Sequence, residues 1–256
     1  HPRLKFELDL YTTIQQHHVV DDDYRARKKV APGAQVWAIG QALGLVRTLD
    51  LLIDAYNGSA AAFPELVFFD CHACHQPISD AGDDLSWRAN PARALPPGAP
   101  ILNDANLIML QAAMRVIDPA LAERLDSEGR VLHAAAQHSG GHFRAAAQTL
   151  RQTAAEASAR ILAADLSSPA TARALLREVA GAASADRYTN YAAAEQALFA
   201  VQRLAAATGA PDASIRAAIE KASREALSPY SYNQGAFKRA LAEVGETAGR
   251  RAACAP

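Results

Sequence analysis

The chain has 256 residues, a length that can bury one large core or two smaller ones, and a formal net charge of −1. This charge gives no indication of a nucleic-acid partner. The longest apolar stretch, residues 36–53, is interrupted by Gln41, Arg47 and Asp50, so the sequence predicts no transmembrane segment. The chain begins at a histidine, and we expect it to be a processed or excised part of a longer protein.

Alanine, the best helix former, dominates the composition and predicts an all-α fold. Residues 1–17 fit an amphipathic helix or an alternating strand, and helix is favoured. Residues 18–33 are polar and charged, which is typical of a solvated connector. The first long helix is predicted over residues 34–57, where apolar side chains recur at helical spacing. Pro64 then opens a short helix that ends in two phenylalanines, which we expect to pack on a cofactor or in the core.

The next stretch, Cys71-His72-Ala73-Cys74-His75, is a C-x-x-C-H motif, the attachment signature of haem c. The thiols of Cys71 and Cys74 would form thioether bonds to the haem, and His75 would be the proximal iron ligand. A zinc site would need two further ligands, and Cys254 is the only cysteine left. A thioredoxin-like site would accompany a βαβ pattern, which the sequence lacks. The sequence therefore predicts a covalently bound haem c.

Residues 76–103 are rich in proline, glycine and aspartate. A loop of this length is uncommon unless it covers a site or links two units. Because it follows the haem motif directly, we expect it to cover one edge of the haem. Trp87 and Arg88 lie in it, and Arg88 is either a haem propionate partner or a surface residue.

Helices fill the rest of the chain. Asn103 or Asp104 is expected to cap the first of them, and Asp118-Pro119 to start the second. The predicted ranges are 104–117, 119–138, 142–165, 168–181, 187–208, 211–227 and 234–250. We expect a helical haem-binding part over residues 1–138 and an Ala-rich antiparallel helical bundle over residues 139–256.

The identity of the second axial ligand of the iron would decide between two functions. A strong ligand gives an electron carrier, whereas an open site allows chemistry on small molecules. His133 follows Val131 and Leu132 on a predicted helix, so it should face packed surroundings, and it is one candidate distal ligand. His17, at the end of the first segment, is another.

The other methionines and histidines have simpler interpretations. Met109 and Met114 lie on an apolar helix face and are predicted to be core residues. His138 and His142 flank a pair of glycines and are expected to be exposed.

Several short stretches resemble the later part of bacterial multihaem cytochromes of the cytochrome c-554 type. The resemblance covers about residues 1–140 and rests on the stretches His1-Pro2-Arg3-Leu4, Phe6-Glu7-Leu8, His17, Asp23-Tyr24, Arg27-Lys28, Trp37-Ala38-Ile39-Gly40-Gln41, Pro64-Glu65-Leu66, Phe69-Asp70-Cys71-His72-Ala73-Cys74-His75 and Ser86-Trp87-Arg88. Such proteins are similar in having several haem motifs, mostly bis-histidine ligation and closely stacked haems.

This chain departs from the family pattern because it carries a single C-x-x-C-H motif. In the family, further motifs would lie upstream of the residues that match 1–4. The resemblance therefore implies that a haem-bearing part is missing from this sequence or is supplied by another chain. His1 or His17 would then be distal ligands to a haem outside this chain.

Electron transfer is the leading functional hypothesis, with a redox protein or an adjacent haem-bearing chain as partner. One alternative is a haem enzyme or gas-binding protein with an open sixth site, in which His133, Arg88 or Tyr24 supplies the distal polar group. Another is a structural subunit whose Ala-rich half binds a larger assembly. Haem c attachment implies export, and the periplasm is the expected location.

Overall fold

The structure, a computed structural model, describes residues 11, 15, 19–57, 66–70, 90–138, 141–209, 213–227 and 232–250. Within these ranges it contains nine α-helices and no β-strand, apart from two isolated bridges. The predicted all-α class is therefore confirmed. The chain divides into two compact units, residues 1–32 and residues 33–256.

The first unit contains a short helix, α1 (Asp22–Arg27). Its N-cap is Asp21, whose side chain accepts a hydrogen bond from the backbone N–H of Tyr24 at 2.8 Å. Acidic residues occupy the first turn and basic residues the last, which suits the helix dipole. The prediction of a plain connector over residues 18–33 is thus wrong for its middle part, because the charges that suggested a solvated loop also cap and pair this helix.

The second unit contains the other eight described helices. They are α2 (Gly33–Asn57), α3 (Ala105–Ile117), α4 (Pro119–Ala135), α5 (Gly141–Ala163), α6 (Pro169–Gly181), α7 (Tyr191–Ala207), α8 (Ala213–Glu225) and α9 (Gln234–Arg250). Among the described residues between α2 and α3 is one 3-10 turn, Leu66–Phe68. Each of these helices corresponds to one predicted from the sequence.

Helix α3 is the centre of this unit. It contacts α2, α4, α5, α6 and α7, and it buries side chains around nearly its whole circumference. Met109 and Met114 are fully buried in it, as expected of core residues. A helix that is apolar all round has to be surrounded by other elements, so its neighbours are fixed around it.

Helices α2 and α5 form the most extensive helix–helix contact among the described helices. The residues that face each other across it are mostly alanine and leucine. Small side chains allow close approach of the two backbones, and leucines fill the remaining space. The side chain of Gln35 adds a hydrogen bond from Nε2 to the carbonyl oxygen of Ile161, 3.0 Å long. The predicted division at residue 138, between a haem-binding part and an Ala-rich bundle, stays a prediction. The apolar core is continuous across this residue, since α5 packs on both α2 and α4.

Residues 33–55 of α2 are long and apolar enough to cross a membrane, with a mean hydropathy of 1.4. A third of the window is buried inside the protein. The core helix of a globular protein and a signal sequence meet the same criterion, so this property alone assigns no membrane role.

Candidate functional site

Most of the predicted haem ligands lie outside the described residues. This applies to the motif Cys71, Cys74 and His75, and also to His1 and His17. Trp87, Arg88 and Cys254 also lie there. Among the predicted iron ligands, His133 alone falls within the described ranges, and its surroundings define the candidate site.

The segment that leads into the motif is held on the core by an extended pairing. Phe69 forms an isolated antiparallel bridge with Leu102. The amide of Asp70 donates to the carbonyl of Ile101, and the amide of Asn103 donates to the carbonyl of Phe68, both at 2.8 Å. The backbone is thereby fixed up to the residue immediately before Cys71.

His133 lies in the last turn of α4 and is 3% exposed. Its Nε2 lies 3.1 Å from Oδ2 of Asp104. Its Nδ1 is buried and has no hydrogen-bond partner in the part of the chain that the structure describes. The sequence predicted an inward-facing histidine here, and the geometry agrees. By contrast, His138 and His142 are exposed, as expected.

Asp104 occupies the N-cap position of α3, but its side chain makes no capping hydrogen bond. The carboxylate instead turns toward two partners that are distant in sequence, His133 and Arg93. The expected capping role is therefore wrong for Asp104. A neighbouring oxygen, Oδ1 of Asn103, lies 3.5 Å from the amide of Ala105 at the start of the helix.

Arg93 donates two hydrogen bonds to the carboxylate of Asp104. Its Nε donates to Oδ2 at 2.7 Å and its Nη2 donates to Oδ1 at 2.9 Å. The same guanidinium also donates to Oγ1 of Thr189 at 2.9 Å and to the carbonyl oxygen of Arg187 at 3.1 Å. Arg93 is 2% exposed, and such a bidentate, buried pair has a fixed geometry.

Sequence reasoning missed this arginine. It lies in the loop that was expected to cover the haem edge, and its partners are 11 and 96 residues away along the chain. No local periodicity reports such contacts. The unusual length of the loop was the only feature of the sequence that indicated a structural or functional role for it.

The charge state of Asp104 follows from these contacts. Burial by itself favours the neutral acid, but the attraction of Arg93 and the hydrogen bonds from His133 and Arg93 outweigh it and hold the pKa of Asp104 well below its ordinary value. Asp104 is therefore a carboxylate under all ordinary conditions. A carboxylate in contact with one ring nitrogen of a histidine orients that ring and raises its basicity.

Two small cavities adjoin His133. The first is mostly apolar, has a volume of about 20 Å³, and is lined by Leu49, Leu52, Phe68 and Leu107, among others. The second, about 10 Å³, is lined by Arg93, Arg130, Arg187, Gln111 and Asp126, among others. Each holds about one water molecule. Neither cavity is large enough to hold a haem.

A group of aromatic residues packs around Tyr232, which is partly buried. Tyr232 makes edge-to-face contacts with Tyr191 and Phe237, with ring centroids 6.0 Å and 5.8 Å apart. Its hydroxyl donates to the carbonyl oxygen of Tyr188 at 3.0 Å. Burial, and to a smaller degree the charge of Asp70, raise the pKa of Tyr232.

Among the described residues, no group of three or more histidine, cysteine, aspartate or glutamate side chains is arranged to hold a metal ion. His133 with Asp104 is a single histidine with its carboxylate partner, a set that completes a metal site only together with ligands from elsewhere.

Comparison with known proteins found no matching family model, no matching curated protein and no matching solved structure. The resemblance to multihaem cytochromes of the c-554 type therefore stays a prediction from the sequence. The structure shows an all-α protein with a buried Arg93–Asp104–His133 network near Phe68, in the segment that precedes the C-x-x-C-H motif.

Proposed function

We propose that the protein is a c-type cytochrome that transfers electrons through a haem attached to Cys71 and Cys74, with His75 as proximal ligand. The observation that carries the proposal is the C-x-x-C-H motif itself, whose spacing is specific to this attachment. Its support from the structure is the anchoring of Asp70 on the core, which would give an attached haem a fixed position next to the protein interior.

One candidate distal ligand, His133, lies near the segment that precedes the motif. His133 and Phe68 line the same cavity, so the histidine is close to the segment that leads into the motif. Its Nδ1 is a buried polar atom without a hydrogen-bond partner in the described ranges, which a metal bond would satisfy. A bound haem supplies one-electron redox chemistry. As the distal ligand, His133 would require the segment at Phe68 to move away from it, because the cavity that both residues line, about 20 Å³, is too small for a haem.

The location and partners belong to the same proposal. Haem c attachment places the protein in the periplasm or another exported location. The resemblance to multihaem cytochromes implies a redox protein or an adjacent haem-bearing chain as partner. His1 and His17 would then serve a haem outside this chain.

One observation favours a second function. The Nε2 of His133 is already engaged by Asp104. A buried histidine held by a carboxylate can also act as a distal hydrogen-bonding group or general acid–base residue beside an open iron site. The protein would then be a haem enzyme or a gas-binding protein.

Optical and electron paramagnetic resonance spectra of the protein, matured in a host that attaches haem c, separate the two functions. An electron carrier should be low-spin and should not bind CO. Replacing His133 by Ala should make the haem high-spin and reactive to CO, while the exposed His138→Ala control should leave both spectra unchanged.

Three results would change this interpretation. Failure to attach haem overturns the haem proposal altogether. A wild-type protein that is high-spin and binds CO supports the enzyme or gas-binding function. A low-spin spectrum that survives His133→Ala keeps the electron carrier but removes His133 as its ligand.

A further inference from the structure

We propose that the polar cavity beside His133 is a binding site for a single water molecule, which joins Gln111, His133 and Arg187. These residues belong to three separate parts of the chain: helix α3, helix α4 and the segment before α7. All three line the same cavity, whose volume is about 10 Å³. The inference goes beyond the proposed function, because it does not depend on whether a haem is attached.

Each of the three side chains contributes one buried polar atom that has no hydrogen-bond partner among the described residues. These atoms are Oε1 of Gln111, Nδ1 of His133 and Nε of Arg187. Gln111 is only 2% exposed and His133 only 3%, so bulk solvent cannot supply the partner. Buried polar groups in folded proteins are nearly always hydrogen-bonded, either to protein or to ordered water. Three unpartnered atoms around one cavity therefore indicate a shared ligand.

The charge of Asp104 determines the hydrogen-bonding role of each ring nitrogen of His133. A carboxylate can only accept, so Nε2, which lies 3.1 Å from Oδ2 of Asp104, has to carry a proton. In the neutral imidazole the other nitrogen, Nδ1, is then an acceptor. The ligand in the cavity must accordingly donate a hydrogen bond to His133.

Arg187 is fixed at both ends, which leaves Nε as its available donor. Its backbone amide donates to the carbonyl oxygen of Ala182 at 3.1 Å, and its Nη1 donates to the carbonyl oxygen of Ala92 at 3.4 Å. Its Nη2 forms an ion pair with Asp126 at 2.5 Å. The preceding residue, Asp186, has a φ of 55°, a left-handed conformation that aspartate adopts more readily than most residues. The guanidinium therefore keeps one position against the cavity.

A water molecule matches the three atoms in both number and type. Its two O–H groups can donate to Oε1 of Gln111 and to Nδ1 of His133, while its oxygen accepts from Nε of Arg187. A buried water typically makes about three hydrogen bonds and needs a cavity of roughly 10–15 Å³. An anion would fit poorly, because two of the three protein atoms are acceptors and not donors.

The neighbouring cavity shows why polarity and not size selects the site. That cavity is larger, about 20 Å³, but it is mostly apolar and is lined by several leucines. A water molecule in an apolar cavity loses hydrogen bonds, and such cavities stay dry. His133 lines both cavities, so we expect the water only on the side that Gln111 and Arg187 share with it.

This site gives His133 a structural role. Asp104 occupies one of its ring nitrogens and the water the other. Iron ligation by His133 and the water site therefore exclude each other, and a haem on the motif would take its distal ligand from elsewhere. The water would also connect α3 and α4 to the segment before α7, which the sequence does not bring together.

A crystal structure of the full chain, at a resolution that shows ordered water, tests the site directly. We expect one water oxygen within about 2.7–3.2 Å of all three atoms. Crystals soaked in bromide should show no anomalous peak in the cavity. A bromide peak there would identify an anion site instead and overturn the proposal, as would an empty cavity or iron bound to His133.

The ¹⁵N NMR signals of the His133 ring provide the test in solution. Nε2 should carry the proton and Nδ1 should accept a hydrogen bond. Gln111→Met removes one of the two acceptors of the water, so the Nδ1 signal should move toward that of an imidazole nitrogen without a hydrogen bond.

Gln137→Met is the matched control. The Nε2 of Gln137 lies 3.4 Å from the carbonyl oxygen of His133, but Gln137 is not among the residues that line the cavity. The control should leave the Nδ1 signal unchanged. Equal shifts in the two variants, or a proton on Nδ1, would overturn the proposal.

A second variant is needed in case Gln111→Met does not fold. Arg187→Lys keeps the positive charge that pairs with Asp126 and removes the Nε donor. It should move the Nδ1 signal in the same direction, because the water loses one of its three contacts. A folded Arg187→Lys variant with the wild-type Nδ1 signal contradicts the proposal.

Discussion

Tyr232 is a partly buried phenol whose ionisation the fold opposes. Burial raises its pKa, and the carboxylate of Asp70 raises it further. A group whose pKa is higher in the folded state contributes stability that is complete below its unfolded value near 10 and is lost as the pH rises above it. The contribution therefore disappears on the alkaline side, from about pH 10 upward.

We expect the protein to lose stability steeply between pH 10 and 11.5, by up to about 1.4 kcal/mol per pH unit for this group. Tyr232→Phe should cost about 1 kcal/mol at pH 8, because the hydrogen bond to the carbonyl of Tyr188 is lost. Above pH 10 the variant should decline less steeply than the wild type. Urea unfolding at a series of pH values measures the free energy of unfolding of the wild type and of the variant. If the two free energies fall in parallel as the pH rises, the ionisation of Tyr232 does not cause the loss of stability.

At the scale of single residues, the sequence predicted what local pattern can report. The inward direction of His133 followed from the apolar residues before it, and the burial of Met109 and Met114 followed from their helix face. The pairing of Asp104 with Arg93 could not be predicted, because an aspartate at the start of a helix can either cap that helix or form a buried ion pair. Only the folded chain decides between them.

Helix boundaries were predictable where a cap and a proline coincide. Asp118-Pro119 and Ser168-Pro169 start α4 and α6 as expected, with side-chain caps onto Leu121 and Thr171. Helix α7 begins four residues later than predicted, since Asn190 and not Arg187 is its N-cap. Arg187 has long-range partners, and a single sequence carries no signal of them.

The cap of α7 provides a test at the scale of the element. Oδ1 of Asn190 accepts a hydrogen bond from the amide of Ala193 at 2.7 Å, and the residue is fully buried. We expect Asn190→Ala to lower the free energy of unfolding by about 1–2 kcal/mol, because a buried helix N–H loses its partner.

Ser168→Ala at the start of α6 is the comparison. Its cap is only partly buried, so water can replace the hydroxyl, and the cost should lie nearer 0.5–1 kcal/mol. Asn190→Ser should recover much of the loss, since serine also accepts from the third residue of a helix. Equal costs for the two alanine variants would show that burial of the cap is unimportant here.

At the scale of the whole molecule, α3 determines the arrangement of the second unit. Five other helices contact it, and the apolar core continues from α2 to α9. The Ala-rich composition predicted helices but not which of them would be central, because alanine fits both a buried face and an exposed one. The continuity of the core across residue 138 came from packing that no local pattern encodes.

The same core predicts how the protein behaves without the proposed haem. The described helices contact each other directly, and their apolar side chains are buried against one another. We therefore expect Cys71→Ser with Cys74→Ser to abolish covalent haem attachment while the helical circular dichroism stays close to that of the wild type. The urea midpoint should fall, because a group that binds only the folded state stabilises it.

The opposite outcome would identify the haem as part of the folding core. If the double variant lost most of its helical signal, the contacts among α2, α3 and α4 would be insufficient without the macrocycle. The missing contacts would then lie near Phe68 and His133, where the described residues enclose only a cavity of about 20 Å³. His133→Ala in the same background separates the two cases. Where the helices fold on their own, this change removes a buried side chain and its contact with Asp104 and should lower the free energy of unfolding by about 1–3 kcal/mol. Where the haem is needed, no folded state remains for the change to alter.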